Sequence, residues 1–179
     1  EDHMKSFSNF LGSYRMGSDE YKASCYFENY SKYSRTKISY MVNKKFLSNT
    51  YFMDLTFIMD DLHMAADWGA KLVFKGTVKM TGAKLKHVGG EKAIVDMLNT
   101  NGGFFEKIVD FNKKVDIYSM TFKYNVHTAQ LRIIITPYNG GYLWIKLPPV
   151  FYPMRFSMEE IYYICKMLNF LGTSFVREN

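Results

Sequence analysis

The sequence predicts an α+β fold, a β-rich single domain of about seven or eight strands with a short internal helix and a C-terminal helix packed on the sheet. Three observations carry that reading. Apolar and polar residues alternate over several separate runs, the period of a half-buried strand. Tyrosine (14) and phenylalanine (15) supply nearly all of the 17% aromatic content, and such rings suit strands with one wet face. The chain then ends in a fully signposted helix. Ser157 and Glu160 have capping-box spacing, Phe156 and Ile161 take the staple positions, and Gly172 stands where a left-handed residue would close the last turn. Met158, Ile161, Cys165, Leu168 and Leu171 recur at steps of three and four, so one face of this helix is built to pack.

Taken in order, residues 1–20 are turn-rich and read as a flexible N-terminal arm, which leaves 21–179 as the single domain. The chain opens on Glu1 rather than Met, which leaves room for a segment before it. From Tyr21 the period is two: Tyr21, Ala23, Cys25 and Phe27 share one face, and Ile38, Tyr40 and Val42 continue the pattern. Tyr51, Met53, Leu55, Phe57 and Met59 form another such face, and residues 60–70 break the alternation as a loop or one helical turn. Over 71–80, Leu72, Phe74, Val78 and Met80 oppose Lys71, Lys75 and Lys79. A loop with Gly89-Gly90 leads to a short helix over 91–99, and Phe104–Phe111 fits a second helical turn. Strands follow near 115–126 and 129–137, and Asn139-Gly140-Gly141 predicts a hairpin into 142–147. The expected core includes Phe74, Val78, Met80, Ile133, Ile135, Leu143, Ile145, Ile161 and Leu168.

Composition narrows the function classes. A net charge of +6 favours anionic partners such as nucleic acid or acidic headgroups. Cys25 and Cys165 are far apart and belong to no CxxC pair, which fits reduced thiols in an intracellular protein first and one long-range disulfide second. No run approaches the ~20 apolar residues that span a bilayer, and residues 1–20 hold no signal-peptide core. The twelve methionines suit core filling first and adaptable contact surfaces second.

One candidate site stands out. Lys71, Lys75, Lys79, Lys84, Lys86 and Lys92 make a basic strip, three on one strand face and three beyond it, suited to phosphate or anionic headgroups. The plain alternative is that lysines on a wet edge strand keep sheets from pairing edge to edge. His87 lies inside the strip. Asp54, Asp60, Asp61, His63 and Asp67 form an acidic patch, but without the spacing of a calcium loop, so solvated loop acids are the expectation and no metal site is assigned. His127-Thr128 reads as a polar strand end. Tyr26, Tyr30, Tyr33, Tyr40, Tyr51 and Phe52 interleave with Lys32, Arg35, Lys37, Lys44 and Lys45, a pattern that can stack bases and contact phosphates but also serves strand packing. No nucleophile, dinucleotide or zinc-protease motif is present, so the expectation is a non-enzymatic protein with no cofactor.

The run LVFKGTVKMTG, a lysine-bearing loop and the helix EKAIVDMLN resemble the strand–loop–helix opening of rhabdovirus matrix proteins, from negative-strand RNA viruses. The final strand and helix at 142–171 are similar to that group as well. The resemblance implies a structural protein of virion and host cell interior. Such a protein self-associates as a homo-oligomer and binds an anionic lipid surface at the inner membrane face, or the nucleocapsid and its RNA. The lysine strip would be the contact. A second likeness points elsewhere. Phe7 to Tyr14 (FSNFLGSY) resembles the opening of lipocalin-like barrels, which implies a hydrophobic small-ligand cavity, although the helix here is the last element and Tyr14 replaces the usual Trp.

Overall fold

The computed structural model describes residues 7, 14–19, 22–28, 34–76 and 81–175, with side chains for residue 7, 35–76 and 81–175. Strands β1 (Tyr14–Asp19), β2 (Lys22–Glu28), β3 (Ser34–Lys44), β4 (Ser48–Met59), β5 (Trp68–Lys75) and β6 (Gly82–Gly90) come first. Helices α1 (Lys92–Leu98) and α2 (Gly102–Val115) follow, then β7 (Ile117–Asn125), β8 (Gln130–Pro137), β9 (Tyr142–Lys146), β10 (Pro149–Pro153) and helix α3 (Met158–Phe175). All ten strands join one antiparallel sheet in the order β1-β2-β3-β4-β8-β7-β5-β6, with β9 pairing both β4 and β10. The architecture is β-rich α+β, as the alternation predicts.

One face of this sheet is covered by helices. Met53, Leu55, Phe57 and Met59 of β4 are buried on it with Met120, Phe122 and Tyr124 of β7 and Leu131, Ile133 and Ile135 of β8. Helix α3 lays Ile161, Ile164, Cys165, Met167, Leu168 and Leu171 onto this layer. Helix α2 adds Phe104, Phe105, Ile108, Val109 and Val115. The aromatic rings of Phe104 and Phe111 each contact Phe170, and Phe122 meets Phe175. Of the expected core, Ile133, Ile135, Ile161 and Leu168 are buried, while Phe74, Leu143 and Ile145 are half-buried. Val78 and Met80 lie outside the described residues.

Local chemistry sets the helix ends. Ser157 Oγ accepts from the Glu160 N–H at 3.1 Å, and a Glu160 carboxylate oxygen accepts from the Ser157 N–H at 2.7 Å, the reciprocal capping box. Phe156 and Ile161 are both buried beside it. Asn101 caps α2 by accepting from the Phe104 N–H at 3.1 Å, and Asp116 ends it in the left-handed region at φ 56°.

Several expectations change. Within the stretch read as an arm, Tyr14–Asp19 forms β1 and ladders onto β2, and Phe7 is buried against Phe156 with ring centroids 6.0 Å apart. Helix α3 does not close at Gly172 but runs on to Phe175. There, a Cβ on Gly172 would sit 3.5 Å from Phe57, an ordinary contact, so neither a left-handed turn nor crowding calls for glycine at this position. Phe104–Phe111 belongs to a fourteen-residue helix rather than a single turn. Residues 84 and 86, expected in a loop, are inside strand β6, whose alternation is masked by Gly82, Gly89 and Gly90 at its ends. The strand–loop–helix order behind the matrix-protein resemblance is therefore strand–strand–helix.

The Asn139-Gly140-Gly141 segment joins no hairpin between β8 and β9. Leu131–Ile135 pairs with Leu55–Met59 of β4, and Tyr142–Ile145 pairs with Ser48–Tyr51 of the same strand, so β9 continues along the edge that β8 occupies. The two glycines allow the break: a Cβ at Gly140 would enter the Phe156 ring, and one at Gly141 would meet the Tyr51 carbonyl. The true hairpin lies after Lys146, where Leu147-Pro148 turns the chain into β10 despite the flanking prolines. β10 is an outer strand, where missing N–H groups are tolerated. A closed barrel needs a pair between the sheet's two ends, and among the described residues β1 and β6 do not pair.

Candidate functional site

The face of the sheet opposite the helices is open, and alternation decides what it carries. On β5 the open positions are Gly69, Lys71, Val73 and Lys75, and on β6 they include Lys84, Lys86 and Val88. On β7 they include Thr121 and Lys123, on β8 Gln130, Arg132, Ile134 and Thr136, on β4 Phe52, Asp54, Thr56 and Ile58, and on β3 Arg35 and Lys37.

Register brings the charges together. Lys71 stands directly opposite Lys86, and on its other side opposite Thr121. Lys123 stands directly opposite Arg132 on one side and Gly69 on the other. Two like-charge pairs therefore sit on adjoining strands, an arrangement that costs a few tenths of a kcal/mol each unless something anionic offsets it. Among the described residues Lys71, Lys75, Lys84, Lys86 and Lys123 form no ion pair, and all are exposed.

The carboxylates of this face are engaged. Asp60 accepts from Gln130 at 2.7 Å and pairs with Arg35 at 3.3 Å, while Gln130 in turn accepts from Arg132 Nε at 2.7 Å. This chain links β3 to β8 through Asp60, just past the end of β4, and holds the Arg132 guanidinium on the strand position opposite Lys123. Asp54 accepts from the Thr136 hydroxyl at 2.6 Å.

The surface dips around Lys123, whereas Lys71 and Lys86 line neither hollow. A hollow of about 530 Å³ is lined by Gly69, Val88, Gly89, Gly90, Thr121, Lys123 and Ile134 among others, with Asp67 at one end. A second, of about 180 Å³, is lined by Lys123, Asn125, Thr128, Gln130 and Arg132. Lys123 and Asn125 border both, so the two form one trough. Gly69 and Gly89, opposed across β5 and β6, leave its floor without side chains. Gly90 has φ +70° and could carry no Cβ without striking the backbone at Asp67.

The expected strip is thus partly redrawn. Lys71, Lys75, Lys84 and Lys86 share the open face. Lys92 opens helix α1 and stands outside the ladder, and Lys79 lies outside the described residues. His87 falls on the alternate side of β6 from Lys84 and Lys86, with Nε2 2.9 Å from the Gly90 carbonyl oxygen, so it is no part of the strip. Lys123 and Arg132 are the members that sequence reasoning missed. Each occupies a wet position of an alternating run, but only the register places Lys123 diagonally across from Lys71, with Arg132 one strand beyond it.

The other candidates do not converge. Asp67 accepts from the Val126 N–H at 2.6 Å, while Asp61 and His63 line a separate, largely apolar hollow of about 440 Å³ with Met64, Ile94, Met97 and Phe175. Among the described residues no cluster of three His, Cys, Asp or Glu side chains could hold a metal ion. His127 and Thr128 sit in the β7–β8 turn, where Asn125 accepts from the Thr128 N–H at 3.1 Å. Cys165 is a free, buried thiol, and burial pushes it up to about 12. Among the described residues no helix is long and apolar enough to cross a membrane.

The family described as protein of unknown function (DUF3156) has a model that matches residues 8–175. The chain belongs to that family. Its matched span runs from before β1 to the end of α3, so the basic face lies inside the family's fold. No curated protein and no solved structure matches the chain.

Proposed function

We propose that this DUF3156 chain is a non-enzymatic binding protein whose open sheet face holds the phosphate backbone of single-stranded nucleic acid. The observation that carries the reading is the pair of directly opposed cation couples, Lys71 with Lys86 and Lys123 with Arg132. Protection of a sheet edge accounts for Lys84 and Lys86 on β6, but not for Lys123 and Arg132, which lie on interior strands. The trough beside Lys123 and Arg132 is open, as a polymer needs, rather than closed over a small molecule.

A stacking platform on the same face favours a single strand over other polyanions. Phe52 and Tyr118 are stacked with ring centroids 5.2 Å apart, and Tyr138 meets Tyr118 edge-on at 5.3 Å. Tyr118 and Tyr138 are exposed. From Tyr118 to Lys123 the strand rises about 17 Å at ~3.3 Å per residue, the reach of a few extended nucleotides. Bases on the aromatic end and phosphates at the cationic end is the arrangement that sequence-tolerant single-strand binders use. A matrix-like role, with RNA of a nucleocapsid as the polymer and self-association around it, extends this reading, and light scattering over a hundredfold concentration range tests the assembly.

Anisotropy with labelled single-stranded RNA and DNA tests the site. Wild type should bind with affinity that falls steeply with salt, and Lys71→Glu/Lys123→Glu should weaken it at least about tenfold and flatten the salt slope. Tyr118→Ala should weaken single-strand binding while leaving binding of inorganic polyphosphate unchanged. Unaltered RNA and DNA affinity in the lysine double variant rules the face out.

A further inference from the structure

At the far end of β4 from the Arg35–Asp60 pair, two chain reversals meet. The β3–β4 turn is Lys45-Phe46-Leu47 and the β9–β10 turn is Leu147-Pro148. Phe46 is 90% exposed, Leu147 76% and Leu47 53%, so large apolar side chains project from the tips rather than from a flat face. Behind them Trp144 and Phe151 stand directly opposite each other, and both are exposed.

The carbonyls of the first turn are paired from within. Lys146 Nζ donates to the carbonyls of Lys45 at 3.1 Å and Phe46 at 3.3 Å, and the Lys146 N–H donates to Leu47 O at 2.9 Å. The Lys45 N–H donates to Ser48 O at 2.7 Å. All three carbonyls of the β3–β4 turn are therefore paired, which lowers the cost of moving that turn out of water.

The charge around the tip has one sign. Lys44 and Lys45 precede Phe46 and Leu47, Lys146 precedes Leu147, and no Asp or Glu occurs in residues 37–53 or 139–158. Apolar tips, an aromatic tier one step behind and a collar of lysines match, in that order, acyl chains, the interface and anionic headgroups.

We infer that the paired turns form a membrane-insertion tip that docks this protein on an anionic lipid bilayer through Phe46, Leu47 and Leu147. This surface is separate from the basic sheet face, so the two activities can be lost one at a time. Docking leaves the chain peripheral, held by shallow insertion plus electrostatic attraction.

Flotation of the full chain with vesicles of phosphatidylcholine, alone or mixed with phosphatidylserine, tests it. Wild type should float with the mixed vesicles, and emission of the exposed Trp144 should shift to the blue while that of buried Trp68 stays put. A Trp144→Phe control assigns the shift. Phe46→Ser/Leu147→Ser should lower vesicle affinity at least about tenfold while leaving oligonucleotide binding unchanged, since all three tip side chains are solvent-facing. Three results would overturn the inference: undiminished flotation of that variant, loss of flotation in Lys71→Glu/Lys123→Glu instead, or a Trp144 shift that follows protein concentration without vesicles. The last would assign the tip to contact between copies of this chain.

Discussion

The two faces of the one sheet obey the same period and opposite chemistry. On β8, Leu131, Ile133 and Ile135 are fully buried beneath the helices, while Gln130, Arg132, Ile134 and Thr136 alternate with them on the open side. On β7, Met120, Phe122 and Tyr124 face in, while Thr121 and Lys123 face out. The covered face is held by apolar area and close packing, which tolerate little change. The open face has only a small ring cluster at Phe52, Tyr118 and Tyr138 and a few polar ties, and it opposes like charges. The proposed polyanion would offset the opposition of Lys71 to Lys86 and of Lys123 to Arg132.

If that contrast is right, the largest effects belong to the covered face. Leu168→Ala removes a side chain that is 1% exposed and should cost about 2–5 kcal/mol, read from urea unfolding. A change within about 0.5 kcal/mol would mean that α3 is not docked on the sheet, and the division into covered and open faces fails with it.

Burial on that face also sets an alkaline limit. Because the Cys165 thiol is pushed up from 9.0 to about 12, the folded state keeps a proton that the unfolded chain gives up. The sign follows: this stabilisation is whole below pH 9 and drains as pH rises from there toward 12. Tyr40, raised by burial, adds to the same alkaline loss. A loss on the order of 2 kcal/mol is expected across the window, smaller in Cys165→Ala. Equal pH slopes in wild type and variant would show that the thiol is hydrated in the folded state.

A smaller effect sits at the entry to α3. Ser157→Ala removes the acceptor for the Glu160 N–H and should cost about 0.5–2 kcal/mol in thermal or urea unfolding. Glu160 also accepts from Asn139 at 2.6 Å, so Glu160→Ala loses a tie between the helix start and the β8–β9 break as well. It should cost more than Ser157→Ala. The reverse ranking would show that the tie to Asn139 contributes nothing.

What could be read from the sequence divides along the same line. Period two located β2, β3, β4, β5, β7 and β8, and cap chemistry located the start of α3, because those signals are local. Pairing is not local. Nothing in Asn139-Gly140-Gly141 says whether its glycines serve a hairpin or a break in a strand continued along β4; the crowding by Phe156 and Tyr51 that requires them comes from residues distant in the chain. The site suffers most from this. Lys71, Lys75, Lys84 and Lys86 could be seen as a strip, but Lys123 and Arg132 join it only through the β5–β7 and β7–β8 registers. Exposure at the tip was equally hidden, since Phe46 and Leu147 look like core residues until the turns place them outside.

The smallest stability effect is the most discriminating for the open face. Lys71→Glu puts a carboxylate directly opposite Lys86 and next to Lys84, replacing a repulsion by an attraction. Cross-strand pairs of opposite charge are worth roughly 0.2–1 kcal/mol, so the variant should unfold at slightly higher urea than wild type. Added salt should erase the difference, because the pair is exposed and screened. The same substitution removes a cation from the open face and should weaken oligonucleotide binding. A variant that gains stability while losing affinity is expected only where the native charge is kept for a partner. If Lys71→Glu destabilises instead, Lys71 already has a role in holding the sheet, and the like-charge argument for this face is lost. If stability rises and affinity stays, the repulsion is real but the polymer lies elsewhere.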